Sequence, residues 1–496
     1  MTRFSTPLGL AAVLAGAAVL ASPTDAGACG GSFSPPPEPQ NPESIEIAAQ
    51  RMVLSISPAQ TVLWSQIEYE GPPEEFAWVL PVGPGSTIEL ASPLWFDALE
   101  AVSSTHVVPP GVCGAAPVYG DSSSGCGCGS LAGDSADRGF TQGDNQNSVE
   151  VVNRGTLGPY ETVTLSSKDG QAVKDWLTMN GFAVPESVAP ILDDYTMKGM
   201  DFIALRLKPE SSTGSMQPVR VVTKGASPMI PFRMMIAGAR EFVPITLYVI
   251  GEGRYAPQSY PETAIDMTAL KWDFTAEGSN YTSLREEILK MDEGGKAFLT
   301  TYARGGGLDA TVLNHQNAPV ELMASTPDMT PSTSLAELYF KMADAESASA
   351  GGKCAAILQQ LVQYKDTQIE DCAQGACPAD VLSADLLECE GAQDLAAALV
   401  GMRPGKAWVT RLEANIPKTQ LNLDLTLEPA AKQEDMSSWI VAKQHQNCME
   451  EFYATASLDV PRPGPKSMEW MAAAFALGAA FIRRRGGKAG DARPTE

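Results

Sequence analysis

Phe76-Ala77-Trp78-Val79-Leu80-Pro81 is an unbroken apolar run closed by proline, and a strand buried on both faces reads this way, without alternation. It is expected at the heart of the first domain. Upstream, Met52, Leu54 and Ile56 share one face of a strand, and Leu63, Ile67 and Tyr69 share one face of the next. With Ser57 to Gln60 as the turn between them, the pair reads as a hairpin. Downstream, Ile203, Leu205 and Leu207 alternate with Ala204, Arg206 and Lys208, and Ile245, Leu247 and Val249 alternate with Thr246, Tyr248 and Ile250. The strictest alternation is Leu421, Leu423, Leu425 and Leu427 around Asn422, Asp424 and Thr426, which reads as a strand.

Helical spacing interrupts this β pattern. Ala172, Val173, Trp176 and Leu177 recur at helical intervals, with Asp169 placed to cap the first turn and Asn180-Gly181 to end it. A second short helix around Val188, Leu192 and Tyr195 stops at Gly199. Further along, Ser283-x-x-Glu286 and Ser334-x-x-Glu337 have the form of capping boxes. Ile357, Leu358, Leu361 and Tyr364 continue the helical theme, as do Leu395, Ala398 and Leu399 before Gly401. The expected class is α+β, an antiparallel β-rich body with inserted helices and a more helical, disulfide-stapled C-terminal part.

The ends read as export signals. Arg3, the apolar run Leu8 to Ala21, Ser22-Pro23 and Ala26-Gly27-Ala28 form a three-part secretory leader, residues 1–28. Cleavage after Ala28 makes Cys29 the first mature residue; a lipidated Cys29 is the alternative, although lipoprotein leaders usually carry Leu where Ala26 stands. At the other end, a Pro-rich linker (461–469) precedes a hydrophobic segment from Trp470 to Ile482, then Arg483, Arg484 and Arg485 open a basic tail (483–496). The arginines suit the cytoplasmic edge of a membrane. The segment is shorter than the ~20 residues of a relaxed span, so a tail trimmed by a sorting enzyme fits it better than a retained span. A terminal helix packed on the domain is the remaining alternative.

Between the ends, composition divides the chain into a β-rich segment (29–102), a Gly/Ser/Cys-rich surface insertion (103–147), an α+β continuation of the main domain (148–275) and a C-terminal domain of helices and strands (276–460). Ser32 to Pro42 reads as an extended leader into the first domain. The formal charge of −24 becomes −26 once the neutral leader and residues 468–496, which carry +2, are set aside. Such a body is repelled by phosphate and has no Lys/Arg stripe, so nucleic acid is excluded as a partner. The expected partners are the membrane, through the C-terminal segment, and an envelope or extracellular ligand.

All nine cysteines lie beyond the leader, and an oxidising compartment makes disulfides their default reading. Besides Cys29, the candidates are Cys113, Cys126, Cys128, Cys354, Cys372, Cys377, Cys389 and Cys448. Cys372 and Cys377 make a reasonable local pair, although connectivity does not follow from spacing. Cys126-Gly127-Cys128 lacks a neighbouring base or further ligands for redox or metal chemistry.

Motifs of catalysis are missing: no G-x-S-x-G, no H-E-x-x-H, no P-loop. Gly251-x-Gly253-x-x-Ala256 follows a strand but runs into Pro257 and Pro261 where a dinucleotide-binding helix should start, so it reads as a turn. No catalytic residue, cofactor or metal ligand is assigned. Glu74-Glu75 and Asp193-Asp194 are the carboxylate pairs from which a hydrolase could draw acid and base.

Ala28-Cys29-Gly30-Gly31, Phe76 to Val82, Gly158-Pro159-Tyr160, Asp175-Trp176-Leu177, Asn180-Gly181-Phe182, Gly199-Met200-Asp201-Phe202, Gln217-Pro218-Val219-Arg220 and Pro228-Met229-Ile230-Pro231 occur in order. Together they resemble the bacterial family catalogued as domain of unknown function 2330, over about residues 26 to 430. The resemblance implies a secreted or envelope protein and brings no assigned activity. Two functions follow as expectations: a non-enzymatic surface binding or scaffold protein and, as the alternative, an envelope hydrolase whose carboxylates meet only in the fold.

Overall fold

The structure, a computed structural model, describes residues 30–33, 46–70, 77–110, 149–208, 216–290, 297–305, 335–343, 391–442 and isolated positions between 354 and 389. Among them are twenty strands and six helices in an α+β arrangement. The apolar run at 77–82 forms β4 (Ala77–Val82), every residue of it buried. It is the second strand of a five-stranded antiparallel sheet, between β1 (Gly31–Phe33) and β9 (Asp201–Leu207), with β8 (Tyr160–Ser167) and β7 (Val149–Leu157) beyond. Trp78, Leu80 and Val82 join Ile203, Leu205 and Leu207 in one core. Ala77 and Val79 face the other, packed by helices α2 (Gly170–Met179) and α3 (Ala189–Met197). The segment expected to start as an extended leader is therefore already sheet at Gly31. A Cβ on Gly30 would collide with the Trp78 indole, which explains a glycine there.

Helix α2 begins as expected, with Asp169 accepting from the Gln171 N–H, and ends at Asn180 with Gly181 at φ 92°. Helix α3 stops before Gly199 at φ 73°. Both glycines hold a left-handed conformation that a Cβ disfavours.

An eight-stranded sheet forms the larger body. Its order is β14 (Glu262–Thr263), β17 (Phe298–Arg304), β18 (Ala407–Pro417), β12 (Phe242–Glu252), β2 (Glu46–Ile56), β3 (Gln60–Glu70), β10 (Val219–Lys224) and β5 (Thr87–Leu90). β2 and β3 are the expected hairpin, its turn closed by Ser57 Oγ accepting from the N–H groups of Ala59 and Gln60. Pairing is antiparallel except at β12/β2 and β14/β17, which are parallel. One face buries Met52, Leu54, Ile245, Leu247 and Val249. The other buries Val53, Trp64, Tyr248 and Ile250 beneath helices α1 (Pro93–Ser103), α5 (Leu335–Met342) and α6 (Gln393–Leu399). In β3 the core side chains are Val62 and Trp64, while Leu63 is only partly buried.

The smaller pieces are a three-stranded sheet, β11 (Met229–Ile230), β19 (Leu425–Pro429) and β13 (Tyr255–Pro257), and two pairs, β15 (Trp272–Asp273) with β16 (Gly278–Ser279) and β6 (His106–Val108) with β20 (Trp439–Val441). Two sequence readings change. The Leu421–Leu427 alternation is a strand only from Leu425; Leu423 is 51 % exposed, because Asp424 is held by Tyr195 and Arg233 and the chain turns there. Helix α4 (Tyr281–Ile288) starts after Asn280, so Ser283 lies inside it and does not cap it. Gly251 to Ala256 is a turn from β12 into β13, as expected.

β17 and β18, both beyond residue 276, sit in the same sheet as β2 and β3, and the described residues up to Pro109 and from Val149 to Ala442 fall in one compact unit. The expected leader, most of the 103–147 insertion and everything from residue 443 lie outside the described residues. No helix among the described residues is long and apolar enough to cross a membrane.

Candidate functional site

β18 reads Ala407-Trp408-Val409-Thr410-Arg411-Leu412-Glu413-Ala414-Asn415-Ile416-Pro417. Leu412, Ala414 and Ile416 face the apolar core, so the period-2 geometry of a strand sends Arg411, Glu413 and Asn415 to the opposite face. These three polar side chains are buried all the same, each no more than 8 % exposed. In register beside them on β12 stand Tyr248, Thr246 and Pro244, and Arg51 of β2 pairs with Thr246. Helix α1 brings Glu100, Ser103 and Ser104 over this face, and α4 brings Arg285. Between them lies a cavity of about 450 Å³ lined by Arg51, Glu100, Arg285, Arg411, Glu413 and Asn415, with Pro244 and Leu289 as its apolar part and the backbone of Ile245 and Ala414 as its floor.

The charges form a chain. Arg411 Nη1 is 2.9 Å from Glu100 Oε1, and its Nε lies 2.8 Å from Glu413 Oε1, off the hydrogen-bonding direction. Arg285 Nε donates to Glu413 Oε2 at 2.6 Å and Thr301 Oγ1 donates to Oε1 at 3.3 Å. Glu100 accepts from Tyr248 at 2.5 Å and from Ser104 at 2.6 Å. Burial pushes the Glu100 carboxyl up, but the Arg411 guanidinium and the two hydroxyl donors outweigh it and leave it below the ordinary value. The Tyr248 hydroxyl is pushed up by burial, so it stays protonated and keeps donating. Arg411 is raised, its neighbours Tyr248, Glu413 and Glu100 outweighing burial.

Arg51 differs from the other two arginines. Its side chain is 9 % exposed, yet its contacts among the described residues are a 3.4 Å hydrogen bond to the Phe96 carbonyl, the Phe96 ring at 5.5 Å, and Asp97 at 3.9 Å. A guanidinium has five N–H donors, and most of these have no protein partner among the described residues. Asn415 donates its Nδ2 to the Leu289 carbonyl at 3.3 Å, and its buried Oδ1 has no hydrogen-bond partner among the described residues. The cavity can therefore both donate to and accept from a guest.

Other buried ions are fully engaged. Asp394 of α6 accepts from Trp64 Nε1 at 2.7 Å, Arg220 Nη1 at 2.8 Å, the Ser92 N–H at 2.9 Å and the Tyr339 hydroxyl at 3.1 Å. This joins one helix to β3, β10, α1 and α5. Asp424 holds Tyr195 and Arg233 in the same manner.

Of the carboxylate pairs singled out in the sequence, Glu74-Glu75 lies outside the described residues. Asp194 is ion-paired with Lys198 and Arg233, whose hydrogen bonds hold its carboxyl below the ordinary range, and Asp193 packs against Gly170 at the α2/α3 contact. That pair is structural. Cys354 and Cys389 are fully buried with their Cα atoms 4.8 Å apart; Ala28, Cys29, Cys113, Cys126, Cys128, Cys372, Cys377, Cys448 and the Trp470–Arg485 segment lie outside the described residues. Among the described residues no three His, Cys, Asp or Glu side chains gather as a metal site. His106 stacks on Trp439 at 4.5 Å, away from the cavity lining.

The sequence reading passed over Glu100, Arg411, Glu413 and Asn415. Two signals were present: Arg411, Glu413 and Asn415 alternate with Leu412, Ala414 and Ile416, and Ser92-Pro93 opens the spacing Trp95, Phe96, Leu99, Val102 of α1.

A sequence profile for the bacterial family described as "Uncharacterized protein conserved in bacteria (DUF2330)" matches residues 23–308, more than half of the chain. The chain belongs to this family. No curated protein and no solved structure matches it. The DUF2330 match contains Arg51, Glu100 and Arg285, whereas β18, with Arg411, Glu413 and Asn415, lies beyond it. The DUF2330 region thus supplies three of the cavity's five charged side chains and the later part of the chain two.

Proposed function

We propose that this DUF2330 protein is an exported protein of the bacterial envelope that binds a small ligand without transforming it, and that the cavity between β18, β12, α1 and α4 is its binding site. The observation that carries the reading is the pairing of the cavity's charges: Arg411 and Arg285 are already locked to Glu100 and Glu413, whereas Arg51 has only the half-exposed Asp97 at 3.9 Å. General acid–base work calls for a carboxyl raised toward neutrality, and Glu100 is displaced the other way. Export is supported by the leader-like residues 1–28 and by the apposition of Cys354 and Cys389, whose spacing suits a disulfide. The Trp470–Arg485 segment would hold the chain at the membrane or be removed by sorting.

Intact-mass and peptide mapping of the protein from fractionated native cells tests this. The expected result is recovery in the envelope fraction, a chain beginning at Cys29, and a peptide linked through Cys354 and Cys389. A chain retaining Met1 in the cytoplasmic fraction with both thiols free would overturn it.

A further inference from the structure

The cavity's own imbalance identifies the guest. Three guanidinium groups and two carboxylates line it. Arg411 lies between Glu100 and Glu413, and Arg285 takes the second oxygen of Glu413. One positive charge remains, and it sits on Arg51, whose nearest carboxylate is the half-exposed Asp97 at 3.9 Å. A buried guanidinium is costly unless its donors are met, and its planar fork fits the two oxygens of a carboxylate. The same cavity is lined by the apolar Pro244 and Leu289 and by Asn415, whose Oδ1 has no hydrogen-bond partner among the described residues.

Resting on the binding role proposed above, we infer that the cavity takes a small organic monocarboxylate, its carboxylate on Arg51, its apolar body against Pro244 and Leu289, and a hydrogen-bond donor, where it has one, on Asn415. A dianion is disfavoured because Glu100 and Glu413 flank the site and a single positive charge is in excess. A volume of about 450 Å³ is within the usual range of small-molecule sites.

Titration calorimetry of the full chain with benzoate at constant ionic strength tests this, with benzamide, benzylamine and inorganic phosphate as comparators. The expected result is one benzoate per chain, with benzamide, benzylamine and phosphate each at least about tenfold weaker, the ratio that one charged bidentate contact confers. Arg51→Gln should weaken benzoate by at least about tenfold, and Arg51→Lys should restore part of it. Urea midpoints of the variants separate lost binding from lost folding. Absence of benzoate binding at ~10 mM, binding unaltered in a folded Arg51→Gln protein, or phosphate binding tighter than benzoate would each overturn the inference. Fractionation and calorimetry read different properties: a cytoplasmic location would end the export reading with the cavity still binding benzoate, and an envelope protein indifferent to benzoate would end only the ligand assignment.

Discussion

Arg411 and Glu413, two residues apart on β18, present their charges to the same face with Nε and Oε1 2.8 Å apart, and each is also gripped by a different helix, Arg411 by Glu100 of α1 and Glu413 by Arg285 of α4. The strand therefore links two helices between which there is no direct ion pair among the described residues.

Removing Arg411 should leave both carboxylates buried without their common partner. Arg411→Met is expected to lower stability by about 3–5 kcal/mol, the cost of an uncompensated buried charge. Adding Glu413→Gln should return part of that loss. Urea denaturation of the two variants checks the order, and a double variant weaker than the single one would contradict it.

Acid should act through Glu100. Its carboxyl in the folded chain lies below the ordinary 4.5, so its stabilisation is fully present above that pH and is lost as pH falls through the folded value. Urea midpoints measured from pH 6 downward should fall more gently below 4.5 in Glu100→Gln than in the parent. Asp194 and Glu252 are lowered too, so the comparison is between slopes, and identical slopes would remove Glu100 as a contributor.

Asp394 satisfies four donors, two of them on Trp64 and Arg220. Asp394→Ala should cost about 3–5 kcal/mol because the buried Arg220 loses its inner partner, and Asp394→Asn should cost less because an amide oxygen still accepts. Denaturant unfolding of both variants gives the ranking.

A chain stopped at residue 308, the end of the family match, lacks β18 and so loses the strand that joins β17 and β14 to β12. It should show no cooperative unfolding by circular dichroism, whereas the full chain should. A sharp transition in the shortened chain would mean that the matched region folds alone.

Strands with a single physical demand were legible. β4 is buried on both faces and reads so, and Asp169 and Gly199 delimit their helices by local chemistry that no distant residue alters. Leu421 to Leu427 misled because alternation reports a pattern and not a neighbour: the anchor that bends the chain, Asp424, answers to Tyr195 and Arg233 from far upstream. The site was hidden for the same reason. Arg411, Glu413 and Asn415 look like the solvent face of an ordinary strand, and only the arrival of α1 and α4 makes that face an interior.

The place of β18 also sets a schedule. A ribosome or a translocation channel delivers the chain from its amino end, so β2, β3 and β12 emerge long before the strand that must slide in between β12 and β17. Until Pro417 has passed, Arg51 and Tyr248 have no opposing Arg411 and Glu413, and the sheet stays in two pieces. The cavity is therefore among the last features to take shape, and its presence certifies that nearly the whole chain has been delivered.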